Sequence, residues 1–493
     1  MKFQGLEDAI RILSGNVLNK IRDGDARCLV YFDPDVDGLF AGVLPYHYIV
    51  QKTNVHPDIM INENRGHGFL LEGEELNKYV GGLIIAVDFM MTRKEIQTLV
   101  NKGIHVVSID HHENEPDHIY YKAVNRCEGV VINNQFKDED PRYRFLSGAG
   151  MVYEVFKEFW RSPRVSNFLP VVGVTLLSDS RELGTDESRK YLEITYNATK
   201  STNPYIRYLI EEVENKRAKK NYNFGVSRLD EAFINFTLSP TLNSLVRFNY
   251  NDVAIDFVLG RGLQFSMQEE QKKLRNAIIE NSLTVAKIGS NLVIGSIDRR
   301  PYPYVNIDNF IGLVANHLVS TYNTEAVVFA KGLDGKISRA SFRTNKNGID
   351  FRKEFERIGF DARGHAGAFG IKNLMAVKDG LNEVSRFCDS VAGMGIPKQV
   401  MNVKNLHSFN VMRAKGIAEE NSFVNHEHKL FLRYTGTNAV VEKGGANYQV
   451  WKVDGVKVLN FDMGISPLQG GLISVGMQNG GIAYYLERDD STK

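Results

Sequence analysis

The chain of 493 residues carries 60 basic and 59 acidic side chains, so it projects no overall field toward nucleic acid or a membrane, and any basic groove must be local. The length suggests roughly three domains, each large enough for its own core. Three widely spaced cysteines (Cys28, Cys127, Cys388) exclude a disulfide framework or zinc knuckle, no apolar run approaches the roughly 18 residues of a membrane span, and Met1-Lys2-Phe3-Gln4-Gly5 does not read as a secretory leader; a soluble, cytoplasmic protein without a membrane partner is expected.

Leu6, Ile10, Ile12, Leu13, Val17 and Leu18 recur at helical spacing and predict an opening helix. Apolar strands then alternate with helices. The run Cys28 to Phe32 reads as a buried strand ending in Asp33-Pro34-Asp35-Val36-Asp37-Gly38, a turn into a helix from about Leu39 to Lys52. Asp58 to Asn62 is a further short strand. Leu83 to Val87 ends at Asp88 before a helix from Thr92 to Lys102, and His105 to Ile109 ends at Asp110-His111-His112. Continuous β-branched strands separated by helices predict an α/β fold, a parallel sheet with helices on both faces. Ligands of such sheets gather at the carboxyl ends of the strands, where Asp35, Asp37, Asp88 and His111 all fall.

Ser147-Gly148-Ala149-Gly150 opens a helix through Trp160, its small residues implying close backbone packing. Val171 to Ser178 is apolar and ends at Asp179. From about Glu214 to Asn281 the chain turns helical and charged, as in Gln268 to Arg275, which reads as a solvated helix bridging two domains. A second α/β unit begins near Leu283, with strands Leu292 to Ile294, Ala326 to Phe329 and Ser338 to Arg343, and a helix Ile311 to Ser320. Within it, Arg363 to Gly370 reads as a glycine-rich loop able to bring backbone N–H groups against an anion. From about Met401 onward, short alternating strands with Gly-rich turns predict a small all-β domain.

The chemistry lies in the acids on the sheet edge. Asp33, Asp35 and Asp37 at alternate positions repel one another at neutral pH unless a cation sits among them. A solvated acidic turn is the alternative, which Asp88 and His111 at neighbouring strand ends disfavour. Asp35, Asp37, Asp88, His111 and Asp179 make a ligand set for two hard divalent ions, Mn²⁺ or Mg²⁺, if Asp88 bridges them. His112 is placed to bind a phosphate oxygen or protonate a leaving oxygen, and Asp110 to orient the imidazole of His111. Arg343 and His365 are candidate phosphate-binding groups facing the metals from the second unit, with Lys331, Arg339 and Lys346 forming a basic patch beside them.

These residues resemble a known family. Asp35-x-Asp37-Gly38, Asp88, Asp110-His111-His112 and Asp179 are similar to the four motifs of the DHH phosphoesterases. Arg363-Gly364-His365-Ala366-Gly367-Ala368 resembles the GGH-containing signature of the DHH-associated C-terminal domain. The superfamily includes exonucleases, short-oligonucleotide and cyclic-dinucleotide hydrolases and pyrophosphatases. Three further stretches resemble the RecJ-type single-strand-specific exonucleases: Asn64 to Phe69, Ser147 to Tyr153, and Phe236 to Arg247. Tyr31, Thr241, Val246 and Arg363 depart from the family pattern, where a histidine, an arginine and two glycines often stand.

The resemblance implies a catalytic domain over 1–213, a helical linker over 214–282, a substrate-binding domain over 283–400 and a β-rich domain over 401–493, where RecJ-type enzymes carry an oligonucleotide-binding barrel. It implies 5′→3′ hydrolysis of single-stranded DNA with roles in DNA repair and recombination, RNA remaining open as a substrate. Asp88, Asp110 and His112 would act in catalysis, and Arg343, His365, Gly364, Asn243, Arg247 and Arg65 would grip the strand. Phe431, Tyr434, Tyr448, Trp451, Tyr484 and Tyr485 could stack on bases, although most read as core. The rival readings are a hydrolase of short oligoribonucleotides or cyclic dinucleotides, and a catalytically silent scaffold binding DNA or replication partners.

Overall fold

The computed structural model describes residues 3–62, 69, 71–89, 91–113, 117–179, 181, 183–216, 228–331, 337–346, 348–377, 379–392, 394, 399–403, 406, 411–424, 429–435, 439–445, 448–460, 471–478 and 481–487. Three sheets follow one another along the chain. The first contains β1 (Cys28–Phe32), β2 (Asp58–Ile61), β3 (Leu83–Val87), β4 (His105–Asp110), β5 (Ile119–Lys122) and β6 (Glu128–Asn133), in the order β2-β1-β3-β4-β6-β5. All pairs are parallel except β5 with β6, which closes one edge antiparallel. Along β1, Cys28, Val30 and Phe32 enter one apolar cluster and Leu29 and Tyr31 the other. The sheet is thus covered on both faces, which is why its strands are continuous apolar runs.

The expected helix from Leu39 to Lys52 is two helices, Val36–Ala41 and Val43–Thr53, joined at Gly42. A Cβ at Gly42 would stand 2.7 Å from the Phe32 ring, so glycine lets the chain turn against β1. The apolar stretch before Asp179 is the helix Val171–Ser178. The charged helix Gln268–Asn281 buries Ile278 and is otherwise half-exposed or exposed as it leads toward the second sheet.

That sheet contains β7 (Leu283–Ile288), β8 (Leu292–Asp298), β9 (Glu325–Lys331), β10 (Ile337–Arg343), β11 (Ala362–His365) and β12 (Ala368–Ile371), in the order β11-β12-β10-β9-β8-β7, with only β8 and β9 parallel. The stretch Arg363 to Gly370, expected as a loop, is instead a hairpin of β11 and β12 turning at Ala366-Gly367. Gly364 makes this strand possible: its φ is 132° and a Cβ would stand 2.9 Å from the Ala368 carbonyl oxygen.

The third sheet contains β13 (Gln399–Val403), β14 (Leu430–Tyr434), β15 (Ala439–Gly445), β16 (Tyr448–Val453), β17 (Val456–Asn460), β18 (Gly471–Gln478) and β19 (Gly481–Glu487), in the order β13-β14-β18-β19-β17-β16-β15. It is β-rich as expected, with one helix, Val411–Asn421, packed against β18 and β19. Phe431, Tyr434 and Trp451 are buried and Tyr484 and Tyr485 half-buried, whereas the Tyr448 side chain lies outside the described residues. Among the described residues no helix is long and apolar enough to cross a membrane.

Candidate metal centre

Strands β1, β3 and β4 are neighbours in one register, with Phe32 paired to Val87 and Val87 to Ile109. The residues that follow therefore leave the sheet at one level and bring their acids together. Asp35 caps the helix Val36–Ala41, its Oδ1 accepting from the Gly38 N–H at 2.9 Å. Asp37 lies in the first turn and is 2 % exposed. Gly38 is required beneath it, since a Cβ there would stand 2.3 Å from the Asp33 carbonyl oxygen.

Two further helices complete the cluster. Ser147 caps Gly148–Phe159, and the first free N–H groups of that helix, on Gly148 and Ala149, donate to Asp37 Oδ2 and Oδ1 at 2.6 and 2.9 Å. A helix N-terminus is where a carboxylate is favoured. Asp179, at the C-terminus of Val171–Ser178, brings in the last carboxylate. Asp88, just past β3, takes a left-handed conformation (φ 52°) that few non-glycine residues adopt.

His111 is 2 % exposed, and its Nε2 lies 3.0 Å from Asp88 Oδ1 and 3.7 Å from both Asp37 Oδ2 and Asp179 Oδ2. Burial, followed by the charges of His112 and Arg181, holds its imidazole well below the usual histidine range, so the ring is neutral. Burial first, then neighbouring carboxylates, pushes Asp37 and Asp88 well above the ordinary range. Asp88 Oδ1 and His111 Nδ1 are buried and accept or donate no hydrogen bond among the described residues. Crowded carboxylates that resist ionisation beside a neutral imidazole fit a hard divalent cation. Donor atoms lie within 4.8 Å of one another in two overlapping groups: Asp88, Asp110, His111 and His112, and Asp37, His111 and Asp179. Asp35, tied to Gly38, belongs to neither group but is close enough to raise both Asp37 and Asp88.

His112 differs from its neighbour. Its Nδ1 meets Asp110 Oδ1 at 2.8 Å, and its side chain is 21 % exposed. Burial pushes its pKa down, but the charge and hydrogen bond of Asp110, with Asp179 and Asp33 beyond, lift it to about 9. Asp110 is fully buried, also accepts from Asn133 Nδ2 at 3.4 Å, and despite its burial is held below the usual range by His112. His112 is therefore cationic at neutral pH, and Asp110, expected to orient His111, fixes the ring of His112 instead.

A cavity of about 410 Å³ opens from His111 and His112 toward the second sheet, where Arg352, Arg363 and Gly364 line it; Arg181 lines it from the first. Of the residues expected to grip the strand, Gly364 lines this cavity. Arg343 ends β10, donating to Ser341 Oγ and the Phe342 carbonyl at 2.8 and 2.6 Å, beside Gly312 in the first turn of the helix Ile311–Tyr322. His365 is in β11, but its side chain lies outside the described residues, as does Arg65. Asn243 is half-buried on the helix Ser239–Arg247, and Arg247 donates to Gln271 Oε1 at 3.1 Å; neither lines the cavity.

The expected basic patch is not formed as read. Lys346 is 15 % exposed and pairs at 3.0 Å with Glu325, whose side chain is fully buried, while Arg339 donates to the Asp308 carbonyl at 3.0 Å. A buried carboxylate at the start of β9 requires a cation, and Lys346 supplies it. Sequence reasoning passed over Arg181, Glu113 and Arg352. Arg181 follows Asp179 by two residues, a signal that was legible, whereas Arg352 reaches the site through folding alone.

Residues 27–175 match the family model described as DHH family, N-terminal domain. No curated protein matches the sequence. Among solved structures, RecJ from Thermus thermophilus in complex with Mn²⁺ is similar with a TM-score of 0.64 at 16 % identity, covering 99 % of this chain and 72 % of that one. The same organism's RecJ in complex with Mg²⁺ gives 0.59 at 15 %, covering 99 % and 70 %. An exonuclease RecJ bound to manganese gives 0.54 at 16 %, covering 80 % and 98 %. At these identities the likeness establishes a shared fold. Asp35, Asp37, Asp88, Asp110, His111 and His112 converge inside the segment that matches the DHH family's N-terminal domain, and the chain shares the fold of RecJ.

Proposed function

We propose that the protein is a two-metal exonuclease that degrades single-stranded DNA in the 5′→3′ direction. The observation that carries this reading is the neutral His111 set among Asp37, Asp88 and Asp179, with the cationic His112 next to it and a cavity reaching the second sheet. Asp35, Asp37, Asp88, His111 and Asp179 would hold two Mn²⁺ or Mg²⁺ ions, with Asp88 shared. Bound there, such ions supply a water of lowered pKa and offset charge on the phosphoryl oxygens.

The chain's own groups do the rest. Asp110 fixes the ring of His112 through Nδ1, and this cationic imidazole would bind a phosphate oxygen or protonate the leaving oxygen. Arg343, Gly364 and His365 grip the phosphate from the second sheet, and Asn243, Arg247 and Arg65 extend the track. A place in DNA repair or recombination, beside replication or repair proteins, follows from such an activity.

Digestion of end-labelled single- and double-stranded DNA and RNA with Mn²⁺ or Mg²⁺, against an EDTA control, tests the reading. Stepwise loss of long single-stranded DNA from its 5′ end is expected, abolished by EDTA and by Asp88→Ala. Full activity of Asp88→Ala would overturn it. Hydrolysis confined to very short RNA or cyclic dinucleotides would make the protein an oligonucleotide hydrolase, and binding without turnover would make it a scaffold.

A further inference from the structure

Glu113 follows directly on Asp110-His111-His112, and its carboxylate reaches across the cavity to Nη2 of Arg352. The two ends of this pair are built differently. Arg352 stands in the first turn of the helix Phe351–Ile358, whose start is fixed by Asp350 accepting from the Lys353 N–H at 3.1 Å. The Arg352 N–H donates to the Ala366 carbonyl at 3.1 Å, tying this turn to the β11–β12 hairpin. The Arg352 side chain is 15 % exposed; Nη1 meets Glu356 Oε1 at 3.1 Å, and Nε is buried with no hydrogen-bond partner among the described residues. The Glu113 side chain is 60 % exposed, and Arg352 is its one ion-pair partner among the described residues.

A largely buried guanidinium with a spare donor, facing the cavity that holds His111 and His112, suits two oxygens of a phosphodiester, which match its planar fork better than one swinging carboxylate does. The exposed partner can leave at little cost, because an ion pair with one solvated end contributes little. Resting on the proposed function, we infer that Arg352 is a phosphate-binding residue of the substrate channel, and that Glu113 is its resident anion, displaced when a strand enters. Glu113 then competes with substrate and raises the phosphate affinity the channel must provide. Since the pair joins the exit of β4 to the start of Phe351–Ile358, its exchange also releases one tie between the first and second sheets.

Fluorescence anisotropy of a 3′-labelled oligothymidylate in EDTA reads the exchange without turnover. Glu113→Gln is expected to tighten binding on the order of two- to five-fold. Arg352→Gln is expected to weaken it about ten-fold and to lower the slope of log affinity on log salt by about 0.7, the share of one single-strand phosphate contact. Arg352→Lys, which keeps the charge without the fork, should fall between, and thermal melts establish that each variant is folded. In the Arg352→Gln background, Glu113→Gln should change affinity less than about two-fold. An unchanged affinity of Glu113→Gln, or an equal gain with and without Arg352, overturns the inference while leaving the nuclease reading intact. Failure of the wild-type chain to bind oligothymidylate overturns both.

Discussion

Gly148 and Asp37 are 111 positions apart in the sequence, yet the Gly148 N–H donates to Asp37 Oδ2 at 2.6 Å. The adjacent Ala149 N–H takes the other oxygen, so a helix N-terminus rather than a side chain aims this carboxylate. The same glycine faces a second acid: a Cβ at Gly148 would stand 2.5 Å from both Cβ and Oδ1 of Asp88. One residue without a side chain thus sets the spacing of two candidate ligands.

Gly148→Ala is accordingly expected to push Asp88 from its place. Overpacking of this kind costs about 1–3 kcal/mol, and Mn²⁺ affinity should fall because Asp88 and Asp37 no longer converge. Thermal unfolding in EDTA and in Mn²⁺, with a Mn²⁺ titration, measures both. An alanine variant that keeps wild-type Mn²⁺ affinity would contradict this account of the glycine.

Asp88→Asn should do the opposite to the metal-free chain. Burial and then the charges of Asp37, Asp35, Asp179 and Asp33 make an ionised Asp88 unfavourable. Asparagine removes the charge and accepts the left-handed backbone that Asp88 adopts. In EDTA the melting temperature should rise by about 2–4 °C, as a gain of about 1 kcal/mol would produce in a domain of this size, while stabilisation by Mn²⁺ is lost. A lower melting point in EDTA would show that Asp88 has a structural role independent of any cation.

Much of this site was legible because β1, β3 and β4 are buried on both faces and so are written as continuous apolar runs ending at acids. The parts that escaped notice have physical reasons. Strand β6 begins with Glu128 and Gly129, and β5 contains Tyr120, Tyr121 and Lys122, so neither reads as a buried run. The β11–β12 hairpin was hidden by glycines that suggest a loop, although Gly364 is there to permit a close strand pairing. The pair of Glu113 with Arg352, 239 positions apart, has no local signature at all.

Glu128 gives a test at the edge of the first sheet. Its carboxylate accepts from Lys122 Nζ at 2.6 Å and Arg11 Nη2 at 2.8 Å, joining the helix Leu6–Leu13 to β5 and β6. Burial raises its pKa, but these hydrogen bonds and charges outweigh it and hold the group below the usual glutamate range. A depressed carboxylate stabilises the fold above its unfolded pKa and loses that contribution as pH falls through the folded value. Glu128→Gln should therefore cost about 1 kcal/mol at neutral pH, with its partners half-exposed, and the difference should shrink as pH drops from about 4.3. Chemical denaturation across that range measures it; a pH-independent difference would rule out the ionic account.

Arg343 can be tested both directly and through its neighbour Gly312. Its guanidinium is folded back onto Ser341 and the Phe342 carbonyl at the end of β10, and a Cβ at Gly312 would stand 2.8 Å from Nη2. Arg343→Gln should lower kcat/KM on single-stranded DNA about ten- to a hundred-fold, the range of a lost charge-assisted hydrogen bond. Mn²⁺ affinity should hold, since the candidate ligands lie on the first sheet and its helices. Gly312→Ala should lower kcat/KM in the same direction by displacing the guanidinium, and should add little once Arg343 is glutamine. Arg343→Lys should recover only part of the loss, because an ammonium keeps the charge but not the planar fork. If Gly312→Ala and Arg343→Gln act additively, the alanine works through the helix Ile311–Tyr322 and not through Arg343. If Arg343→Gln leaves kcat/KM unchanged, the phosphate is held by other groups of the cleft.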